Sequence, residues 1–474
     1  MWDKFDGSEK VPREVQKKAL KFIEEKIQTH DVIGLNLPCG SGKSAIARAV
    51  MLEYKDATYI TSNNMLIKQM QEFYPDINAL IGKKHYTCSK NPQWTCEDAW
   101  KLKSHKPCGQ CEYYAARKRA LEGRESTCYN AISYWYAMKD PRWKAPKVIV
   151  VDEADKLIDT LMLISGETFG KSYNPPKNLD FIEIVGWLKE KERVLTEYVN
   201  KAPIKDALRG MGELNKVQRM IECITDSPSS YAHDYDEKGD LVVYPISPPS
   251  EIIDKILQAD KLILMSATLY KSDIPKLTSK TSAYLELDSP IDEARRRITL
   301  QPPVYNMTWQ TDPELVAMWI LDMVKKYPFK GTIVHVTYAL SKKLRKYIQE
   351  AYVNTPEDKA EVLSRFKEEG GIWLASGCSD GLDLRDDYAG LNLIPILPNP
   401  NVADPIQKRR LALPGGLRDY HIGVLRVVQQ MAGRSTRHEE DYSRIIIGDK
   451  RFKDLVQRYH HELPNSFTDS INWG

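Results

Sequence analysis

One short run constrains this chain more than any other: Leu37-Pro38-Cys39-Gly40-Ser41-Gly42-Lys43-Ser44. An apolar run from Val32 to Leu37 precedes it, and a stretch of helical character from Ala45 to Tyr54 follows. Strand, glycine-rich turn and helix in that order make a P-loop. Gly40 and Gly42, with Ser41 between them, let backbone N–H groups turn inward around phosphate oxygens. Lys43 is placed to reach the β- and γ-phosphates of a nucleoside triphosphate, and Ser44 to ligate Mg²⁺. Leu37 stands where the pattern usually carries Gly or Ala, but the later glycines do most of the wrapping.

Further apolar runs repeat the strand signal. Thr58 to Thr61, Lys147 to Asp152 and Lys261 to Ser266 form one set. Thr332 to Val336, Ile372 to Ala375, Leu393 to Leu397 and Arg444 to Ile447 form a second, after Pro290. Near-continuous apolar strands separated by helical patterns are the mark of parallel sheets buried on both faces. Two such sets predict two doubly wound α/β domains, which suits 474 residues. Two segments break the alternation: residues 82–112, rich in cysteine, and residues 166–250, mostly helical, with Phe181, Ile184, Leu188, Leu195 and Tyr198 near one face.

Chemistry-bearing residues sit at the ends of these strands. Asp152-Glu153-Ala154-Asp155 follows the strand 147–151, where α/β sheets place ligand groups. A hard cation beside phosphate needs a carboxylate, which assigns Asp152; Glu153 then positions or deprotonates the attacking water. Near the other end lies Gln430-Met431-Ala432-Gly433-Arg434-Ser435-Thr436-Arg437. Arg434 and Arg437, three apart, share one helix face, and guanidinium groups stabilise charge spreading over a transferring phosphoryl group.

The eight cysteines are unevenly spread: Cys88, Cys96, Cys108, Cys111 and Cys128 fall close together, and Cys39, Cys223 and Cys378 are scattered. In a reducing compartment such a cluster suggests a metal centre before disulfides. Its ligand set suits a four-iron cluster or a tetrahedral zinc equally. Net charge is only +3 overall. Between Lys83 and Arg119, however, nine Lys or Arg face three acids, a local excess of +6. Trp94, Trp100, Tyr86, Tyr113 and Tyr114 lie among these cations, a mixture that suits stacked bases and paired phosphates of a single strand. No run approaches the 18 apolar residues of a membrane helix, and the first residues carry no apolar signal core; an intracellular chain without a membrane partner is expected.

Taken in order, these motifs resemble superfamily 2 helicases of the XPD/DinG group. The P-loop, Asp152–Asp155, Ser266-Ala267-Thr268 and Gln430–Arg437 match that superfamily's motifs I, II, III and VI. Arg13 and Gln16 resemble an adenine-reading Q element, and Thr61 with Leu66 and Gln69 resembles motif Ia, which contacts the nucleic-acid backbone. Ser379 to Leu384, with Gly381 and Asp383, resembles motif V, and the cysteine insertion falls where the group carries its iron–sulfur domain.

The resemblance implies a defined architecture: α/β, with two RecA-like P-loop domains and two insertions in the first, one holding a cysteine cluster and one helical and Arch-like. In residue numbers, the first domain takes 1–81, 113–165 and 251–289, the cluster insertion 82–112, the helical insertion 166–250, and the second domain 290–474. Cys88, Cys96, Cys108 and Cys111 are the implied ligands of a 4Fe-4S cluster, with zinc as the alternative, and Cys128 is left to the core. Arg13, Gln16, Gly40, Ser41, Gly42, Lys43, Ser44, Asp152, Gly381 and Asp383 are the implied ATP and Mg²⁺ contacts. Lys43, Asp152, Glu153, Gln430, Arg434 and Arg437 form the implied catalytic set. Thr61, Ser62, Lys83, Lys84, Trp94 and Trp100 are the candidate nucleic-acid contacts. The implied activity is ATP-driven 5′ to 3′ travel on single-stranded DNA with unwinding at junctions of single and double strands, by a monomer, in DNA repair or replication. A translocase that strips proteins without parting strands, and a nucleotide-regulated binder that hydrolyses little ATP, are the competing readings.

Overall fold

The computed structural model describes residues 12–101, 111–122, 126–177, 180–236, 238–378, 384, 388–436 and 439–473, and not the side chains of residues 100, 101, 204, 205, 208 and 209. The apolar runs form two seven-stranded parallel sheets, as the alternation of strand and helix signals predicts. In the first, the order is Ser282–Glu286, Val32–Asn36, Lys261–Ser266, Val148–Asp152, Ala57–Thr61, Thr127–Asn130 and Asn78–Leu80. In the second, it is Tyr352–Val353, Gly371–Ala375, Gly331–His335, Leu391–Ile394, Arg444–Ile447, Ile298–Leu300 and Ile471–Asn472.

The central strands are buried along their whole length because helices cover both faces. Val32, Ile33 and Leu35 are fully buried, as are Ile149, Val150, Ile263 and Leu264 beside them. These side chains leave no choice of register, since a slip by one residue would exchange the two packed faces. Register in turn fixes the height of the strand ends: Asn36 pairs with Ser266, and Met265 with Asp152. The P-loop, the Asp152–Glu153 pair and Ser266 to Thr268 therefore emerge along one rim of the sheet.

The segment 166–250 is built as a long helical hairpin, Phe181–Lys201 and Ile204–Asp226, on a small antiparallel sheet of Glu167–Phe169, Leu241–Pro245 and Tyr231–Tyr235. Asp180 and Glu183 close the first helix with a reciprocal capping box, which sets its start. Among residues 82–101, a strand pair, Thr87–Cys88 with Asn91–Thr95, leads into the helix Cys96–Lys101. No helix among the described residues is long and apolar enough to cross a membrane.

Candidate nucleotide site and cysteine module

Gly40 and Gly42 hold left-handed backbone, with φ of 78° and 79°, and the helix Lys43–Glu53 starts at once after them. Gly42 has a second reason to lack a side chain: a Cβ there would lie 2.2 Å from Nε2 of Gln16. Arg13 and Gln16 both lean on this loop, Arg13 Nη1 donating to the Gly40 carbonyl and Gln16 Nε2 to that of Gly42 at 3.5 Å. They brace the phosphate loop directly. Lys43 Nζ donates to the buried Leu37 carbonyl at 3.3 Å, and Ser41 Oγ is buried with no hydrogen-bond partner. An orphaned hydroxyl in a loop of inward-turned glycines is the cradle a phosphate fills.

Asp152 is 2% exposed. Burial pushes its carboxyl above the ordinary range, opposed by the Lys43 charge, by Tyr59 and by the Glu153 amide. Tyr59 donates its hydroxyl to Asp152 Oδ2 at 2.8 Å, and the Glu153 N–H donates to Oδ1 at 2.9 Å, so the carboxylate is fixed in place. Glu153 itself has φ of 52° and ψ of 46°, a region disfavoured for a residue with a Cβ. That turn aims its carboxylate at Ser62, which donates to Oε2 at 3.3 Å, with Lys156 at 3.7 Å. Tyr59 lies in a strand that the sequence identifies readily; its bond to Asp152 has no signal in sequence, because it joins neighbouring strands.

The opposite wall comes from the second sheet. Its helix Gly416–Ala432 lays one face across the first domain. Gln430 Nε2 donates to Thr268 Oγ1 at 3.1 Å and to Asp155 Oδ2 at 3.3 Å, and Thr268 donates to the same Asp155 oxygen at 2.7 Å. Gln429 bridges the domains as well, through the Ala267 carbonyl at 3.0 Å and the Tyr270 hydroxyl at 2.8 Å. A Cβ on Gly433 would come within 3.2 Å of Cys39 Sγ. A cavity of about 470 Å³ lies between the walls, lined on one side by Lys43, Ser44, Asp152 and Glu153 and on the other by Gln430 and Arg434. Arg437, Gly381 and Asp383 lie outside the described residues.

Residues 320–470 match the helicase C-terminal domain, and residues 9–173 match the domain of the type III restriction enzyme res subunit. Among curated relatives, the ATP-dependent DNA helicase CHL1 of Saccharomyces cerevisiae is 25% identical over 60% of this chain and 39% of its own length. A regulator of telomere elongation helicase 1 homolog of Drosophila ananassae is 27% identical over 42% of the chain and 25% of its own length. The chain thus spans well under half of these relatives. A solved XPD helicase shares the fold over 98% of this chain and all of its own, with a TM-score of 0.65 at 14% identity. The Xpd4 structure of S. tokodaii aligns over the same shares with a TM-score of 0.58 at 14% identity. Two family models thus cover opposite parts of the chain, each less than half of it, and the fold is that of the solved XPD structures.

The cysteine segment packs against the edge of the first sheet. Cys88, Cys96 and Cys111 are all buried, at 3%, 8% and 2% exposure. Burial, then the neighbouring Cys111, pushes the Cys96 thiol up to about 11, and Cys88 contributes to the same rise. Cys108 lies outside the described residues. Among the described residues, no group of three or more His, Cys, Asp or Glu is arranged to hold a metal ion. Cys128 is fully buried in the strand Thr127–Asn130.

The candidate strand contacts divide by exposure. Thr61 is fully buried, and its Oγ1 accepts from the Asn63 amide, so it shapes the turn and offers no surface. Ser62 is half-buried and faces Glu153; Lys84 is exposed and Trp94 half-exposed. The Lys83 ammonium sits 5.7 Å from the centre of the Tyr113 ring, which meets Tyr86 edge-on at 5.4 Å. Those rings pack the module. The side chain of Trp100 lies outside the described residues.

Proposed function

We propose that the chain is an ATP-driven DNA helicase that travels 5′ to 3′ on single-stranded DNA and parts duplex ahead of it. One observation carries this reading: a single cavity takes Lys43, Ser44, Asp152 and Glu153 from one parallel-sheet domain and Gln430 and Arg434 from the other. A triphosphate held there ties the two domains together, and its hydrolysis cuts the tie. Names of relatives supply DNA as the substrate and helicase as the activity; the polarity rests on resemblance to the XPD/DinG group.

Each described residue has a role that its surroundings support; those of Arg437, Gly381 and Asp383 rest on resemblance. Backbone amides of Gly40 to Lys43 wrap the β-phosphate, and Lys43 leaves the Leu37 carbonyl for the γ-phosphate. Mg²⁺, held by Ser44 and Asp152, supplies charge neutralisation across the phosphates. Glu153, already turned toward the cavity, orients the attacking water and takes its proton. Arg434 and Arg437 reach the phosphoryl oxygens as the cleft closes. Gln430 senses closure through Thr268 and Asp155. Gly381 and Asp383 relay it to the strand-binding surface, where Lys84 and Trp94 offer charge and a stacking face.

The test is phosphate release with and without single-stranded DNA, followed by displacement from duplexes carrying either a 5′ or a 3′ tail. Stimulation with displacement only from the 5′ tail is expected. Stimulation without displacement would support the stripping translocase; no stimulation would support a nucleotide-regulated binder.

The cysteine module is proposed to hold a four-iron cluster through Cys88, Cys96, Cys108 and Cys111. Cys88, Cys96 and Cys111 are buried in one segment, and Cys111 and Cys88 both act on the Cys96 thiol; with Cys108 they would supply four thiolates to a group that staples a segment too small for its own core. Protein purified anaerobically should contain iron with inorganic sulfide and absorb broadly in the visible range, and Cys96→Ser should lose both iron and colour. Zinc without iron would overturn the cluster assignment.

A further inference from the structure

His335 ends the strand Gly331–His335 in the middle of the second sheet, 3% exposed. Neither of its ring nitrogens has a hydrogen-bond partner. One strand over, Asn392 sits on the same sheet face, one register step back: Ile333 pairs with Asn392, so His335 and Asn392 are diagonal neighbours. Asn392 is only half satisfied. Its Nδ2 donates to the Met431 carbonyl at 2.9 Å and to Ser435 Oγ at 3.1 Å, while its Oδ1 is buried with no partner. The ring favours Asn392 Oδ1 as an acceptor, yet no bond of good geometry joins them.

These bonds bracket Arg434. Met431 and Ser435 flank it, so Asn392 holds the backbone before Arg434 and the Ser435 side chain after it, around a residue that lines the same cavity as the P-loop. Burial, then the Arg434 charge, holds the His335 imidazole far below its ordinary value, at about 3. A neutral ring can stand behind a guanidinium without repelling it. Three polar atoms without hydrogen-bond partners in one buried corner destabilise the fold, and such a cost persists where function demands it.

We propose that His335 and Asn392 are positioning residues for Arg434: Asn392 holds the Met431 carbonyl and the Ser435 hydroxyl on either side of the arginine, and His335 backs both the asparagine and the guanidinium. Closing the cleft completes the missing bond, a ring N–H of His335 donating to Asn392 Oδ1, and that bond sets the direction of the guanidinium. This inference rests on the reading of Arg434 as a group that meets the phosphates.

The experiment is a double-mutant cycle in DNA-stimulated ATP hydrolysis, using H335F, H335Q, R434A and H335F/R434A in the full chain. A misdirected guanidinium is expected to lower kcat about tenfold to a hundredfold in H335F and to leave KM within about twofold, because the charge it stabilises builds up mainly in the transition state. H335Q, which can still donate to Asn392 Oδ1, should recover most of kcat. In the R434A background, H335F should change kcat by less than about twofold, since coupled residues do not add. Wild-type kcat in H335F, or its full effect persisting beside R434A, would overturn the proposal. An unimpaired R434A would overturn it from beneath, by removing the role of the arginine. Should H335F fail to fold, N392L keeps a similar volume, loses the bonds to both Met431 and Ser435, and must show the same dependence on Arg434.

Discussion

Glu153→Gln should bind ATP normally yet turn it over about 10²–10⁴ times more slowly, the usual contribution of a positioned general base. The substitution keeps the volume and the hydrogen bond from Ser62 but removes the charge that orders and deprotonates water. The strained turn at Glu153, with φ of 52°, needs no change, because Gln occupies it at the same cost. Rapid-quench hydrolysis with DNA present, beside ATP affinity measured by a fluorescent analogue, separates chemistry from binding. Lys43→Ala is the contrasting control and should lose affinity as well, since its ammonium meets ground-state phosphate. If Glu153→Gln kept more than about a tenth of the wild-type rate, the base would have to be sought elsewhere on the cavity wall.

The P-loop wall of this cavity was readable because the P-loop and the Asp152–Glu153 pair are local patterns. Each needs only a strand, a turn and a few residue types, and buried parallel strands announce themselves as apolar runs. Two of the strands that escaped notice did so for the opposite reason. Ser282–Glu286 is half-exposed along its length, and Ile298–Leu300 is only three residues long, so neither makes an apolar run. The helical signal of residues 166–250 likewise hid a three-stranded sheet, whose strands lie at the two ends of the segment and pair only once the hairpin folds back.

The bridging residues were partly hidden too. Gln430 stood out within a motif, but Gln429 and Arg426 look like ordinary helix positions. Their partners Ala267, Tyr270 and Asp273 lie more than 150 residues away. Thr61, which resembles a motif Ia position together with Leu66 and Gln69, has a fully buried side chain that holds the following turn. Exposure depends on how a turn folds over its own strand, which residue type does not report.

Arg426→Ala should damage the motor as much as a change inside the site, although Arg426 touches no phosphate. Its Nη2 donates to Asp273 Oδ2 at 2.6 Å, and its guanidinium lies over the Tyr270 ring at 4.8 Å from the centroid. Both partners of the ion pair are mostly buried, with side chains 17% and 6% exposed. Burial works against the charge, but Asp273, Asp155 and Tyr270 outweigh it and hold the guanidinium protonated above its ordinary value. Removing one member leaves the other charged and unpaired in a dry interface, a loss of about 3–5 kcal/mol. Arg426 lies eight residues before Arg434 on the same chain segment, about 12 Å along a helix axis, so a loosened dock swings the far end. The expected result is a lower thermal midpoint and a fall in kcat together, with Asp273→Ala matching it and the two changes failing to add. Replacing the pair by Met and Leu should recover the midpoint, because apolar packing of similar volume replaces a buried ion pair at little cost. If that apolar pair restored stability but not kcat, the charge pair would act on the direction of the helix and not only on its attachment. Wild-type stability and turnover in Arg426→Ala would show that this helix face is not what joins the two domains during hydrolysis.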